Sequence, residues 1–135
     1  MKNLILIASL FASSFIYAQE TVISYIIIEV NKKTKAAVLS KLISTKKGKV
    51  LDSIQIEKDV KLLKRLPSIA NASYQVQEKE AGYEVTYKIE ENFTIIPSAY
   101  IYTTNDDEFA FRLGLYEFNA LGRNITLGAI FQQDI

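Results

Sequence analysis

The residues of this sequence whose types could do chemistry are acidic, and one group of them is consecutive. Asp106, Asp107 and Glu108 follow one another, so their carboxylates could hold a hard cation such as Ca²⁺ or Mg²⁺. A calcium loop spaces its ligands along about a dozen residues, and three adjacent acids are more typical of a solvated turn. A second group of acids surrounds a predicted β-hairpin, where a polar sheet face accounts for it: Glu78, Glu80, Glu84, Glu90 and Glu91.

The side chains that most enzymes use alongside such acids are missing. The 135 residues contain neither histidine nor cysteine. The commonest general base, the commonest transition-metal ligand and every thiolate nucleophile or ligand are therefore excluded. We expect no catalytic residues, no cofactor and no metal site, and we look for function in the elements that these residues belong to.

The N-terminus is predicted to be an export signal. Lys2 supplies a positive charge, Leu4–Phe11 is apolar, and Ala18-Gln19 is a candidate cleavage point. The apolar run is shorter than the roughly 20 residues that span a bilayer as a helix. We therefore expect residues 1–18 to be a cleaved signal peptide, with a retained single-span anchor as the alternative. An exported chain is not expected to bind nucleic acid.

Two strands in the middle of the chain are predicted to form a hairpin. Gly82–Glu90 alternates apolar with polar residues, and Ala72–Lys79 does the same. This period of two is typical of strands with one buried and one solvated face. The predicted buried face carries Ala72, Tyr74, Val76, Tyr83, Val85, Tyr87 and Ile89.

One strand and two helices are predicted to precede the hairpin. Thr21–Val30 is rich in β-branched residues and is read as a strand. A helix is predicted over Lys35–Thr45, with Thr34 as its N-cap and Gly48 just beyond its end. Its buried stripe is expected to hold Val38, Leu39, Leu42 and Ile43.

The second helix is predicted over Asp52–Leu66. Asp52 is followed three residues later by Gln55, which resembles a capping box, and Pro67 forces the helix to stop. The element order is therefore strand, helix, helix, strand, strand.

After a short connector, Asn92–Pro97, the chain is predicted to form three further strands: Ser98–Thr103, Phe109–Phe118 and Asn124–Gln133. The last two have the length of membrane-spanning β-strands, with one apolar and one mixed face. Substitutions at Thr126 or Gly128, on the mixed face, should be the better tolerated. A soluble sheet with one core face is the alternative. The apolar face holds Phe109, Phe111, Leu113, Leu115, Ile125, Leu127, Ala129 and Phe131.

Four segments make the chain similar to a known family. Ile26–Lys35 looks like the strand and turn that lead into the first helix of a POTRA domain. Lys47-Gly48 and Asp52–Leu66 look like its loop and second helix, and Phe118–Asn124 is similar to the family's early barrel hairpin. The sequence thus resembles the POTRA-plus-barrel proteins, the BamA- and TamA-like outer-membrane assembly and translocation family.

The resemblance implies an α+β fold: a POTRA-like β-α-α-β-β module over residues 19–91, then the opening antiparallel strands of a transmembrane barrel over 92–135. Because family barrels have many more strands, it implies a fragment or a truncated member. It also implies a periplasmic module that captures unfolded client chains by edge-strand pairing and feeds a barrel in the bacterial outer membrane. Possible accessory periplasmic proteins are implied as well.

The site residues that the resemblance implies form three groups. The client-binding edge strand is Ser73, Tyr74, Gln75, Val76 and Gln77. The lipid-facing barrel residues are Phe109, Phe111, Leu113, Leu115, Ile125, Leu127 and Phe131. The barrel turn is Asn119, Gly122 and Arg123. Two other functions stay open, a barrel-anchored surface display or adhesin-type protein and a single-span periplasmic POTRA scaffold.

Overall fold

The predicted order of elements is confirmed by a computed structural model, which describes residues 21–31, 33–105 and 108–134. The expected signal peptide, residues 1–18, and Asp106-Asp107 of the acidic run lie outside the described residues. The elements are β1 (Ile23–Val30), α1 (Ala36–Leu42), α2 (Ser53–Leu63), β2 (Ile69–Lys79), β3 (Gly82–Glu91), β4 (Ile95–Thr103), β5 (Phe109–Ala120) and β6 (Ile125–Asp134).

The first sheet has the strand order β1-β3-β2, with β3 parallel to β1 and antiparallel to β2. Its buried face is the one that the alternation predicts, since Val85, Tyr87 and Ile89 are at most 4% exposed. α1 and α2 cover this face and complete one hydrophobic core. The core consists of Ile23, Leu39, Ile43, Ile56, Val60, Leu63, Ile69, Ala72, Val85, Tyr87 and Ile89.

α2 begins as the sequence predicts. The Asp52 side chain accepts hydrogen bonds from the backbone N–H groups of Ile54 (2.9 Å) and Gln55 (3.1 Å). The capping box is only half present, because the Gln55 amide donates to Asp59 (3.0 Å) and not back to the Asp52 backbone. The helix ends at Leu63, before Pro67, and the intervening residues form turns.

α1 differs from its prediction at both ends. Its N-cap is Lys35, which makes no side-chain capping bond, so the expected cap at Thr34 is wrong. The helix stops at Leu42, whose side chain is 38% exposed, and Ile43 enters the core from an extended backbone instead. Gly48, with φ of +82°, lies six residues past the helix and shapes the loop that returns to β1.

The second sheet is antiparallel with the order β4-β5-β6. β4 starts at Ile95 and contains Pro97, which the sequence prediction assigned to the connector. β4 is an edge strand of this sheet, where proline is tolerated. The three strands form an open sheet and close no barrel among the described residues. Neither helix in this part of the chain is long and apolar enough to cross a membrane.

Candidate functional site

The predicted client-binding residues lie on an open edge of the first sheet. β2 pairs only with β3 in the described part of the chain, so its other side has no strand neighbour. Ser73, Gln75 and Gln77 are exposed, whereas Tyr74 and Val76 are half-buried against the core. The five residues are therefore together on one edge strand, and their binding of a client stays a prediction.

The backbone of β2 alternates between groups that pair with β3 and groups that face outward. The Tyr83 N–H donates to the Val22 carbonyl (2.9 Å), so it faces β1, and its register partner on β2 is Glu78. In an antiparallel pair, residues bonded to the neighbouring strand alternate with residues whose N–H and C=O groups face outward. Glu78, opposite Tyr83, belongs to the outward-facing set. The N–H groups of Gln75 and Gln77 consequently face β3. The amides available to an added strand are those of Tyr74, Val76 and Glu78.

The predicted lipid-facing residues share one face of the second sheet. Leu113 lies opposite Phe131 on β6, and residues directly opposite each other in a sheet point to the same side. The Phe111 and Phe131 rings are 5.9 Å apart. β4 adds Pro97, Ala99 and Ile101 to this face through its register with β5. No helix of the described residues packs on it, and Phe109, Leu113, Leu115, Ile125, Leu127 and Phe131 are 46–62% exposed.

The opposite face of the second sheet forms a groove of about 590 Å³. Arg112 lies in it together with Tyr100, Tyr102 and Tyr116. The expected tolerance at Gly128 is not supported, because a Cβ there would lie 2.7 Å from the Tyr116 ring. The groove is thus more aromatic than the mixed face that the sequence predicts.

A buried carboxylate joins the first sheet to the segment that follows β1. The Glu91 side chain accepts hydrogen bonds from the backbone N–H groups of Lys33 (2.9 Å) and Thr34 (2.5 Å) and from the Thr34 hydroxyl. Glu91 is 8% and Thr34 6% exposed. Thr34 is therefore fixed by an acid 57 residues away and is not free to cap α1.

The β5–β6 turn docks on this same segment. The Asn119 amide, 1% exposed, donates to the Thr34 hydroxyl (2.8 Å), and the Lys35 N–H donates to the Gly122 carbonyl (2.9 Å). Gly122 has φ of +70°, and a Cβ on it would lie 2.0 Å from the Lys33 carbonyl oxygen. We call Lys33–Lys35, Glu91, Asn119 and Gly122 the joint.

The sequence prediction found two residues of the joint and missed the others. The sequence predicts Asn119, Gly122 and Arg123 only as a barrel turn. Arg123 is exposed and lies outside the groove of the second sheet. The Lys33 ammonium pairs with the Glu117 carboxylate at 2.6 Å. The alternation could have found Glu91, because it continues the buried phase of Val85, Tyr87 and Ile89, whereas Glu90 lies on the solvated phase.

Asp59 is the other buried acid among the described residues, and it accepts hydrogen bonds at the edge of the hydrophobic core. Its carboxylate accepts from the Ser44 and Thr45 backbone N–H groups (2.9 Å each) and from the Tyr87 hydroxyl (3.2 Å). Burial raises its pKa, but the hydrogen bonds from Thr45, Ser44 and Gln55 outweigh that effect and hold the pKa below the usual 3.8. All these partners of Asp59 belong to the fold of the first module. No cluster of acidic side chains in the described residues could hold a metal ion.

Comparisons with known proteins agree with this architecture. The sequence pattern of the POTRA family, described as "Surface antigen variable number repeat", matches residues 21–92. The structure is similar to that of BamA from Haemophilus ducreyi lacking POTRA domains 1–3, with a TM-score of 0.71 and 17% identity over 87% of this chain. It is also similar to CdiB from Acinetobacter baumannii, with a TM-score of 0.52 and 13% identity over 86% of this chain.

The match covers a limited part of these relatives. The chain spans 23% of the length of each of the two solved structures. No curated protein sequence matches it. At these identities the structures establish the fold, a POTRA module followed by BamA-like strands, whereas the sequence match over more than half of the chain establishes the family. The chain belongs to the POTRA family.

Proposed function

We propose that this chain is part of an outer-membrane protein assembly or translocation component. Its POTRA module, residues 19–91, lies in the periplasm and captures extended client chains. The strands of residues 92–135 belong to a β-barrel in the bacterial outer membrane. The observation that carries the proposal is the uncovered apolar face of β4–β5–β6, joined directly to a module with an open strand edge.

The apolar face supports a position in lipid. Half-exposed Phe, Leu and Ile side chains follow one another along β5 and β6, far beyond the scattered apolar residues that a soluble surface carries. Strand backbone in hydrocarbon must be paired on both sides, which only a closed barrel achieves. The barrel that contains this sheet therefore needs further strands beside β4 and β6.

The β2 edge supports the capture of a client. The outward N–H and C=O groups of an edge strand can pair with any extended chain, which gives affinity with little sequence preference. The exposed side chains of Ser73, Gln75 and Gln77 are polar and uncharged, so they neither repel nor select a client by charge.

The position in the membrane is tested on the full chain in plain buffer and in detergent micelles. We expect aggregation in buffer and a dispersed, β-rich protein in micelles, because the apolar face needs a cover. A soluble monomer in buffer with protected amides throughout Phe109–Phe131 would overturn the membrane assignment.

Client capture is tested with proline substitutions on β2 in the micelle-bound chain. Glu78→Pro removes an outward N–H without breaking the β2–β3 ladder, so it should weaken the binding of an extended peptide while the fold persists. Gln77→Pro is the matched variant; its N–H faces β3, and it should destabilise the hairpin. Amide shifts during titration report both. Unchanged peptide affinity in a folded Glu78→Pro variant would contradict capture along this edge.

A further inference from the structure

α2 has a second face, on the side that points away from the core. It consists of exposed residues at helical spacing, the last of them in the turn after the helix: Ile54, Lys58, Lys61, Leu62 and Arg65. We call these five residues the α2 face. Its two apolar side chains are 67% (Ile54) and 40% (Leu62) exposed. The α2 face thus places three cations beside uncovered apolar surface, a pattern typical of helices that lie on a membrane.

The charges around the α2 face are strongly unbalanced. Residues 33–65 contain ten lysines and arginines but three acids. Of these acids, Asp59 is buried and Asp52 caps α2, so Glu57 is the one that remains as an exposed charge on the helix. Neither of the two ion pairs in the described part of the chain involves the α2 face. The face is therefore a positive surface that needs an anionic partner from outside these residues.

The basic end of α2 lies beside the turn that joins β5 to β6. Ser68, three residues after Arg65, is buried, and its hydroxyl donates to the side-chain oxygen of Asn124 in that turn (3.4 Å). Three residues span at most roughly 10 Å, which is about one Debye length at moderate salt. In the proposed barrel this turn marks the periplasmic boundary of the membrane. Arg65 therefore lies near the level of the lipid headgroups.

The module meets the second sheet on the side of its apolar face. The Lys33 ammonium pairs with the Glu117 carboxylate at 2.6 Å, and Glu117 lies opposite Leu127 on β6 and Ile95 on β4. Residues directly opposite each other in a sheet point to the same side, so Glu117 belongs to the face that holds the predicted lipid contacts. Lys33, which leads into α1, thus reaches the sheet from the side on which lipid would lie.

We propose that the α2 face binds the phosphate groups of acidic phospholipids in the leaflet that surrounds the periplasmic end of the barrel. Lys58, Lys61 and Arg65 contact the headgroups, and the two apolar side chains contact the boundary of the acyl chains. Anionic leaflets attract clusters of basic residues, and long basic side chains extend from an apolar surface to reach phosphate. This inference rests on the proposed function, because that function places a membrane beside the β5–β6 turn. It adds lipid as a ligand of the POTRA module itself.

Three label positions separate this inference from the proposed function. The chain has no cysteine, so one introduced cysteine carries one nitroxide. The labels replace Leu62 on the α2 face, Gln75 on the opposite face of the first sheet and Leu127 on the apolar face of the second. The full chain is placed in bicelles of phosphatidylcholine alone, or of phosphatidylcholine and phosphatidylglycerol in equal parts. Collisions of the nitroxide with a neutral, water-soluble nickel complex, measured by electron paramagnetic resonance, report whether each label is covered.

We expect the label at position 62 to be accessible in the neutral bicelles and several-fold less accessible in the anionic ones, with added salt reversing the protection. The label at position 75 should stay accessible in both. Lys58→Gln and Lys61→Gln should each lower the ratio of docked to undocked module about fivefold, the factor that one basic residue contributes near an anionic surface.

Matched variants control for charge and for folding. Lys88→Gln removes an exposed lysine from the opposite face of the first sheet and should leave the ratio unchanged. Lys61→Arg keeps the charge and should keep the docking. Glutamine has nearly the helix propensity of lysine, so the glutamine variants should give the circular dichroism of the wild type.

Four results would overturn the inference. Equal accessibility of position 62 in both kinds of bicelle refutes it, and a covered label at position 127 then leaves the proposed membrane position standing. A label at position 127 that the nickel complex reaches in both refutes the membrane position and this inference together. Protection of position 62 that survives salt and both glutamine substitutions refutes the role of the cations. Protection in neutral bicelles with spin–spin broadening between labels assigns the α2 face to a second copy, whose residues 66–135 carry ten acids against four basic residues.

Discussion

Replacing Glu91 by alanine tests whether the joint holds the POTRA module and the barrel strands in one orientation. The carboxylate is the acceptor for two backbone N–H groups and one hydroxyl, and it sits between β3 and the segment on which the β5–β6 turn docks. Its removal leaves Thr34, which is 6% exposed, with a buried N–H and a buried hydroxyl that have lost their acceptor.

The expected cost follows from those two groups. A buried donor left without an acceptor costs about 1–3 kcal/mol, so the two Thr34 donors together should cost about 2–6 kcal/mol. We do not count the Lys33 N–H, because Lys33 is exposed and water can replace the carboxylate there. A loss of this size is a large share of the roughly 5–15 kcal/mol that stabilises an ordinary domain.

Two measurements on the full chain in micelles report the effect. Urea unfolding gives the change in the free energy of unfolding. Nitroxide labels on cysteines introduced at Lys58 and Thr126, both exposed, give the distance distribution between the module and β6. We expect Glu91→Ala to lower the free energy of unfolding and to broaden the distances. The control is Glu90→Ala, which removes the neighbouring, exposed carboxylate of the same strand.

The reasoning is refuted if Glu91→Ala and Glu90→Ala agree within about 0.5 kcal/mol, the range of ordinary surface substitutions. A loss of stability with unchanged distances would refute only the role of Glu91 in setting the orientation of the module. Glu91 would then stabilise the module, and another contact would set its orientation.

Three further substitutions test other parts of the structure. Asp59→Ala should cost about 3–5 kcal/mol in urea unfolding, because it orphans buried donors, whereas Glu57→Ala on the exposed side of α2 should be near neutral. Because the pKa of Asp59 is lowered by folding, its contribution is present above pH 3.8 and is lost as the pH falls below that value, so the difference between wild type and Asp59→Ala should shrink in acid. Gly122→Ala should loosen the joint as Glu91→Ala does, since a Cβ would meet a backbone carbonyl at 2.0 Å, and an unchanged label distance would contradict this. Within a closed barrel, Leu113→Arg should cost about 2–4 kcal/mol near the membrane midplane, whereas Thr126→Arg on the other face should cost less; equal folding yields in liposomes would contradict the assigned face.

The sequence predicts well those features that a periodic pattern controls. The alternation in Gly82–Glu90 identifies Val85, Tyr87 and Ile89 as buried, because core and water lie on opposite faces of the strand for its whole length. The apolar faces of β5 and β6 are identified for the same reason. Asp52 is recognised as an N-cap because its hydrogen bonds are to residues two and three positions away.

The prediction fails where a distant residue decides the local structure. Thr34 has the chemistry of an N-cap, but Glu91 and Asn119 take its hydrogen-bonding groups across 57 and 85 positions. Gly128 belongs to a face expected to tolerate substitution, yet the Tyr116 ring from the neighbouring strand lies over it. Both cases depend on strand register and docking, which a single sequence does not contain.

Pro97 makes the two edges of the second sheet unequal as places where a further strand can pair. The Phe118 N–H donates to the Thr94 carbonyl (2.9 Å), so the alternation along β4 turns the nitrogen of Pro97 to the open edge, where it has no hydrogen to offer. A further strand that pairs with β4 would therefore lack one backbone hydrogen bond near the start of β4. The ten residues of β6 contain no proline. Because an edge interrupted by proline is a poorer template, further strands should pair with β6 before β4. In the proposed barrel, the sheet would then lengthen beyond β6, and β4 would stay unpaired until the last strand of that barrel reaches it.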